Sequence, residues 1–249
     1  MHFGAEPEDV ERRKERDLIR CLRTIAGTAE RVDHLYLVGD VFDGYVEYRH
    51  LVPKGTVRFQ SLLAEWTDAG VPVTYLIGNH DPWHRDYFAS ELGVRVVETV
   101  DARHDGWQVG IEHGDAVGST HGLYPALRPL LRHPLPVALY RSLLPADLGI
   151  GLARWISEAV RDEKPDPELV ATLEAHARDR IADGTDLVVM GHCHVPTLQV
   201  PFAEDGPSGA YLNTGSWFGD RTVGRLDDGG VELLRWNGTR AVSIEATRL

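Results

Sequence analysis

Four times along this chain a short apolar run stops abruptly at a glycine accompanied by aspartate, asparagine or histidine. Leu35-Tyr36-Leu37-Val38 runs into Gly39-Asp40-Val41-Phe42-Asp43, and Val73-Thr74-Tyr75-Leu76-Ile77 into Gly78-Asn79-His80-Asp81. Trp107–Glu112 runs into His113-Gly114-Asp115, and Leu187–Met190 into Gly191-His192-Cys193-His194. Runs this short and β-branched read as buried strands, and glycine lets the backbone turn where each ends. Between them, Leu18, Ile19, Leu22, Ile25 and Ala26 recur at helical spacing within 8–30, and Val57, Leu62, Leu63 and Trp66 do so ahead of Gly70. Strands alternating with helices predict an α/β fold over 1–249, one domain by length. In such sheets the polar residues past the strands' carboxyl ends gather on one rim, where ligands bind.

From 119 to about 183 the pattern turns helix-rich. Leu123, Leu127, Leu130 and Leu131 form one stripe; Leu148, Leu152, Trp155, Ile156 and Val160 form a second; 169–181 carries a third. Pro125, Pro129, Pro134, Pro136 and Pro145 divide the segment into short pieces. Between 119 and 161 Arg128, Arg132, Arg141, Arg154 and Arg161 face only Asp147 and Glu158. That local excess stands out because the chain is acidic, with 26 Lys+Arg against 38 Asp+Glu and a formal net charge of −12. Such a chain repels nucleic acid, so an anionic ligand has to be met locally. Leucine stripes are ordinarily core and scattered arginines ordinarily solvated. Their coincidence in one segment predicts a lid that caps substrate or touches a membrane surface, with Arg128, Arg132, Arg141 and Trp155 as candidate substrate contacts.

After Pro196, β-like runs at Tyr211-Leu212, 221–226 and 231–236, separated by turns such as Asp227-Asp228-Gly229-Gly230, predict a closing antiparallel meander. Two cysteines, Cys21 and Cys193, cannot form a disulfide framework, which points to a reducing compartment or to an unpaired functional thiol. The absence of an apolar run of about 18 residues and the acidic start after Met1-His2-Phe3-Gly4 predict neither a membrane span nor a signal peptide. A cytoplasmic protein is expected, peripheral at most on the inner face of the membrane.

Asp40, Asn79, His113, His192 and His194 would place carboxylate, amide oxygen and imidazole on one rim, a donor set suited to Mn²⁺, Fe²⁺ or Zn²⁺. His192 and His194 stand two apart, so on an extended backbone both rings point the same way. Cys193 then faces away and reads as a core thiol. Asp43 reads as an orienting or capping residue, and Asp115 as a loop residue. His34, His50, His84, His104, His121, His133 and His176 lack motif context and read as surface or locally satisfied.

GDVFD, GNHD, HGD and GHCH, in this order, resemble the signature of the calcineurin-like metallophosphoesterases. The resemblance spans nearly the whole chain and implies a β-sandwich flanked by helices with two divalent ions, Mn²⁺ foremost, at its rim. The insertion after HGD and the run Tyr211-Leu212-Asn213-Thr214-Gly215-Ser216-Trp217 resemble the UDP-2,3-diacylglucosamine diphosphatase branch of lipid A biosynthesis. By that resemblance Asp40 bridges both ions, Asn79, His113 and His192 complete one site, and His2 and His194 serve the other. His80 protonates or stabilises the leaving oxygen, with Asp81 orienting its ring. A hydroxide bridging the ions is the implied nucleophile, and the implied reaction yields UMP and 2,3-diacylglucosamine 1-phosphate.

This chain has His80 where the best-studied proteobacterial enzymes have arginine. Met1-His2-Phe3-Gly4 matches the tail of a D-x-H-F-G motif, so the aspartate and the strand delivering it are expected upstream, in a protein roughly ten residues longer. Two other functions fit parts of the pattern: a phosphodiesterase or phosphatase acting on a soluble phosphoester, and a non-catalytic scaffold that binds a partner at the rim.

Overall fold

The computed structural model describes residues 1–27, 31–118, 124–159, 166–200, 209–228 and 230–247. Two parallel strands, β1 (Leu35–Val38) and β2 (Val73–Leu76), form a sheet in the order β1-β2-β3 with β3 (Arg95–Val97). The second sheet is an antiparallel meander of β9 (Thr222–Asp227), β10 (Gly230–Trp236) and β11 (Ala241–Thr247). The third comprises β4 (Thr99–His104), β5 (Trp107–Glu112), β6 (Leu187–Met190), β7 (Thr197–Gln199) and β8 (Ala210–Asn213), in the order β4-β5-β6-β8-β7. Tyr211-Leu212, expected in the closing meander, instead sits in β8, parallel to β6.

The continuous apolar runs have a simple cause: these strands are covered on both faces. Along β6, Leu187 and Val189 face a core shared with Ile111, Leu212 and Leu233, so the five-stranded sheet packs on the meander. The alternate residues Val188 and Met190 face a second core with Leu173 and Ile181. Along β1, Leu37 faces a third core with Leu18, Phe59 and Leu63, while Tyr36 and Val38 face the inter-sheet core. The result is a β-sandwich flanked by helices.

Helices α1 (Glu8–Ala26), α2 (Val57–Asp68) and the short α3 (Tyr87–Ser90) supply the outer layer over β1 and β2. Thr56 gives α2 no side-chain cap, and Glu15 of α1 does that work, accepting the amides of Arg58 and Phe59 at 2.8 and 3.0 Å.

The insertion divides physically in two. Helices α4 (Tyr124–Arg132), α5 (Pro134–Leu143) and α6 (Ala146–Ala159) lie over the rim, whereas α7 (Pro167–Ala182) buries Leu169, Leu173, Ala177 and Ile181 against the five-stranded sheet. The third stripe of the insertion is therefore core, and α4–α6 alone of its helices among the described residues lie over the rim. Leu123, His121, Val160 and Arg161 lie outside the described residues. No helix among the described residues is long and apolar enough to cross a membrane.

Candidate metal centre

Asp40 is the hub of the rim. Its Oδ2 lies 3.0 Å from His113 Nε2 and 3.6 Å from His2 Nε2, and its Oδ1 accepts the His80 amide at 2.8 Å. His113 Nε2 is also 3.1 Å from Asn79 Oδ1. His2 Nε2 meets His194 Nε2 at 3.2 Å, and the His192 ring packs edge-on against His113 with centroids 5.0 Å apart. Ligand atoms of Asp40, His113 and His192 lie within 4.8 Å of one another, as do those of His2, Asp40 and His80. Two triads therefore share one buried carboxylate.

Backbone strain shows how tightly these side chains are held. Among the described residues seven non-glycine residues have positive φ, and four of them are His2 (53°), Asp40 (47°), His192 (63°) and His194 (59°). Each costs on the order of 1 kcal/mol or more, and such strain collects at functional sites. It also corrects the extended-backbone picture of the second histidine pair. Left-handed turns at both positions send His192 to His113 and His194 to His2, so the rings serve opposite sides of Asp40.

Two glycines make the approach of these groups sterically feasible. A Cβ at Gly78 would stand 2.1 Å from Asp40 Oδ1, and one at Gly39 would stand 2.3 Å from His113 Nδ1.

The far nitrogen of three imidazoles is anchored. His113 Nδ1 is 3.0 Å from the Val38 carbonyl, His192 Nε2 is 3.0 Å from the Gly118 carbonyl, and His2 Nδ1 is 3.2 Å from Asp43 Oδ1. Donating there fixes the tautomer and leaves the other nitrogen's lone pair for a cation. Carboxylate, imidazole and amide oxygen in this array fit a pair of borderline-hard divalent ions.

Electrostatics point the same way. Burial drives His2 down to about 4. Burial and the charge of His113 drive His192 to about 4, and burial with His2 drives His194 to about 2. At neutral pH these three are unprotonated bases. For His113, burial opposes the charge but Asp40 outweighs it and lifts the ring to about 9. Asp40 is itself buried, and the His113 and His80 rings hold it well below the usual carboxylate range. A proton on His113 thus occupies the position a cation would take.

This sets the pH dependence of protein stripped of metal by chelation. His113, raised above 6.5, contributes stability that is complete below 6.5 and is lost as pH rises through about 9. His2 and His192, lowered to about 4, remove stability as pH falls from 6.5 towards 4. Melting temperature should therefore peak near pH 6.5 in chelator. Excess Mn²⁺ should abolish the alkaline decline, because the ion replaces the proton. A melting temperature that is flat between pH 6.5 and 9 in chelator would contradict the arrangement.

The His80 ring is oriented from the lid side. Its Nδ1 contacts Ser157 Oγ and lies 3.1 Å from Asp43 Oδ1, while Ser157 Oγ donates to that same carboxylate oxygen at 2.8 Å. Asp81 does other work than the orienting role expected of it. Its carboxylate accepts the amides of Val41 (2.7 Å) and Gly78 (2.8 Å) and the Tyr75 hydroxyl, stapling the first two loops together. The ring-orienting carboxylate is Asp43. Ser157 carried no sequence signal, being a lone serine on a lid helix that only the fold brings 114 residues back to Asp43. The His84 ring is half-buried against those of Tyr45 and Tyr75, with centroids 4.6 and 4.5 Å away.

The lid is pinned to the rim by several contacts. Asp115 accepts from Tyr124 (2.8 Å), Arg128 (3.0 Å) and Arg132 (3.1 Å), and Arg132 also donates to the Gly78 carbonyl at 3.1 Å. Arg141 donates to the Trp83 carbonyl, and the Trp83 indole donates to the Leu131 carbonyl, both at 2.7 Å. Trp155 points outward, 66 % exposed.

A two-layered sandwich with a carboxylate shared between histidine groups at the rim defines a metal-dependent phosphoesterase architecture. The chain belongs to the calcineurin-like phosphoesterase family, whose sequence model matches residues 3–196. Members are hydrolases that work with divalent metal ions. The chain is 36% identical over 166 residues to a UDP-2,3-diacylglucosamine hydrolase of Porphyromonas gingivalis, covering 63% of this chain and 59% of that protein. It is 26% identical over 237 residues to the protein of that name from Pseudomonas syringae pv. tomato, covering 94% and 92%. Vacuolar protein sorting 29 from Cryptosporidium parvum aligns with a TM-score of 0.44 at 14% identity, covering 92% of this chain and 88% of that one.

Proposed function

We propose that this protein hydrolyses the pyrophosphate bond of UDP-2,3-diacylglucosamine to UMP and 2,3-diacylglucosamine 1-phosphate, using two Mn²⁺ ions, at the cytoplasmic face of a membrane. The observation that carries the reading is an apolar lid directly above the metal centre. Leu127, Leu135, Leu139, Leu143, Leu148 and Trp155 are all exposed on α4–α6, between 46 and 72 %. Such a surface suits acyl chains and a membrane interface, whereas a soluble ester gains little from it. The names of the relatives support the same substrate.

Asp40, Asn79, His113 and His192 would hold one ion, and Asp40, His2 and His194 the other. Bound ions supply an activated water and offset charge at phosphorus. Water oxygen bonds to one phosphorus, and the bridging oxygen leaves with the other. His80 stands beside the rim to protonate that oxygen. Burial disfavours its charged form, but the carboxylates of Asp40 and Asp43 outweigh burial and raise its pKa, keeping the proton available. Arg128, Arg132 and Arg141 tie the lid to the rim and present positive charge beside it. With Trp155 they are the proposed substrate contacts of the lid.

The test is hydrolysis by metal-loaded protein of UDP-2,3-diacylglucosamine in mixed micelles against a chromogenic phosphodiester. Preference for the lipid is expected. Equal rates indicate a soluble-ester enzyme, and no turnover of either indicates a binding scaffold. Replacing the exposed Leu135, Leu139 and Leu143 of α5 by glutamine should lower the rate on the lipid at least about tenfold and spare the small ester, since each apolar side chain removed from an acyl contact forfeits on the order of 1.5 kcal/mol. Equal losses on both substrates would remove the lid from substrate recognition.

A further inference from the structure

Each helix of the lid carries arginine, and those of α4 and α5 spend donors inside the protein. Arg128 and Arg132 pair with Asp115 and Glu98, and Arg141 donates to the Trp83 carbonyl. Arg154 on α6 does not. Its guanidinium makes no hydrogen bond or ion pair with the described residues, although its Nε is buried. A guanidinium carries five N–H donors and keeps its charge at any physiological pH. One that is partly shielded from water and left without an acceptor calls for an anion.

The surroundings of Arg154 say where that anion would sit. Helix α6 rests on the loop that follows β1 so closely that a Cβ at Gly44 would stand 2.7 Å from both the Cα and the N of Arg154. Gly44 also has φ +67°, so glycine is what lets the two backbones meet there. One turn further along α6, on the same face, Ser157 touches His80 and Asp43. The Arg154 side chain lies against Gly4, where a Cβ would stand 3.5 Å from its Nη2, two residues beyond His2. Arg154 therefore stands on the lid side of the metal centre, on the helix that also orients the His80 ring.

We propose that Arg154 binds the phosphoryl group that departs during hydrolysis. The proposal rests on the reading of the site as a pyrophosphate hydrolase and adds a residue that this reading did not use. As water oxygen bonds to one phosphorus, the bond from that phosphorus to the bridging oxygen breaks. The electron pair stays on the bridging oxygen, which takes the His80 proton. Negative charge grows on the departing phosphoryl group until that proton arrives, and a guanidinium fixed beside it offsets the charge while it grows.

The test compares wild type, Arg154→Ala and Arg154→Lys, all loaded with Mn²⁺, on UDP-2,3-diacylglucosamine and on bis(p-nitrophenyl) phosphate, whose leaving group carries no phosphoryl. Arg154→Ala should lose at least about tenfold more kcat/KM on the pyrophosphate than on the diester. Arg154→Lys should fall between, because lysine keeps the charge but not the fork. Added guanidinium ion should restore part of the alanine variant's rate on the pyrophosphate. Calorimetric titration with glucose 1-phosphate, a monoester like the departing group, reads the contact without turnover. Affinity should fall at least about tenfold in Arg154→Ala. Equal losses on the two substrates would mean that Arg154 only braces α6, and would overturn the proposal. Equal affinity of wild type and Arg154→Ala for the monoester would overturn it too. If the wild type ignores the lipid, the substrate assignment fails, and the titration still decides for or against Arg154.

Discussion

Replacing His80 with alanine is expected to lower turnover by about 10²–10⁴-fold, the usual range for a positioned acid, while two metal ions per chain are retained. The separation follows from the geometry. The ring is held on its Nδ1 side by Ser157 and Asp43, and it is the His80 amide that hydrogen-bonds the Asp40 carboxylate. Losing the ring therefore removes a proton donor without dismantling the hub. Ser157→Ala should reproduce part of the loss, about ten- to a hundredfold, because an unsupported ring samples unproductive orientations. Metal analysis and kcat on the same preparations provide the check. If metal content falls in parallel with kcat, His80 belongs with the ligands, which its place within 4.8 Å of His2 and Asp40 makes a pointed comparison.

Asp40→Asn should have the larger effect on the site itself. The carboxylate lies within reach of His113 and His2 at once, so its loss weakens both sides together. Turnover should fall by at least about 10³-fold, on the order of 4 kcal/mol of transition-state stabilisation, with metal content well below one ion per chain. The variant should also lose the alkaline decline in melting temperature, because His113 would no longer be raised by its partner. His113→Ala, by contrast, should lower metal content and turnover while leaving the His2 side able to hold an ion. Normal loading with two ions in Asp40→Asn would show that the carboxylate is not shared.

How much of this was legible before folding depends on how local the physics is. Strands β1 and β6 can be read from the chain to the residue, because burial on both faces demands uninterrupted apolar runs and glycine follows each. Asp40, Asn79, His113, His192 and His194 were readable for the same reason: each follows such a strand, and strand ends share a rim. Short polar strands such as β4, with only Val100 buried, carry no such pattern and depend on their partners.

What only tertiary structure decided is which side chains meet across long separations. Ser157 reaches Asp43, Asp81 turns from His80 to the backbone of two loops, and α7 sinks into the core while α4–α6 remain above the rim. A leucine stripe states only that a face is apolar. Whether that face meets a sheet, a lipid or water depends on where the chain's other layers leave room for it.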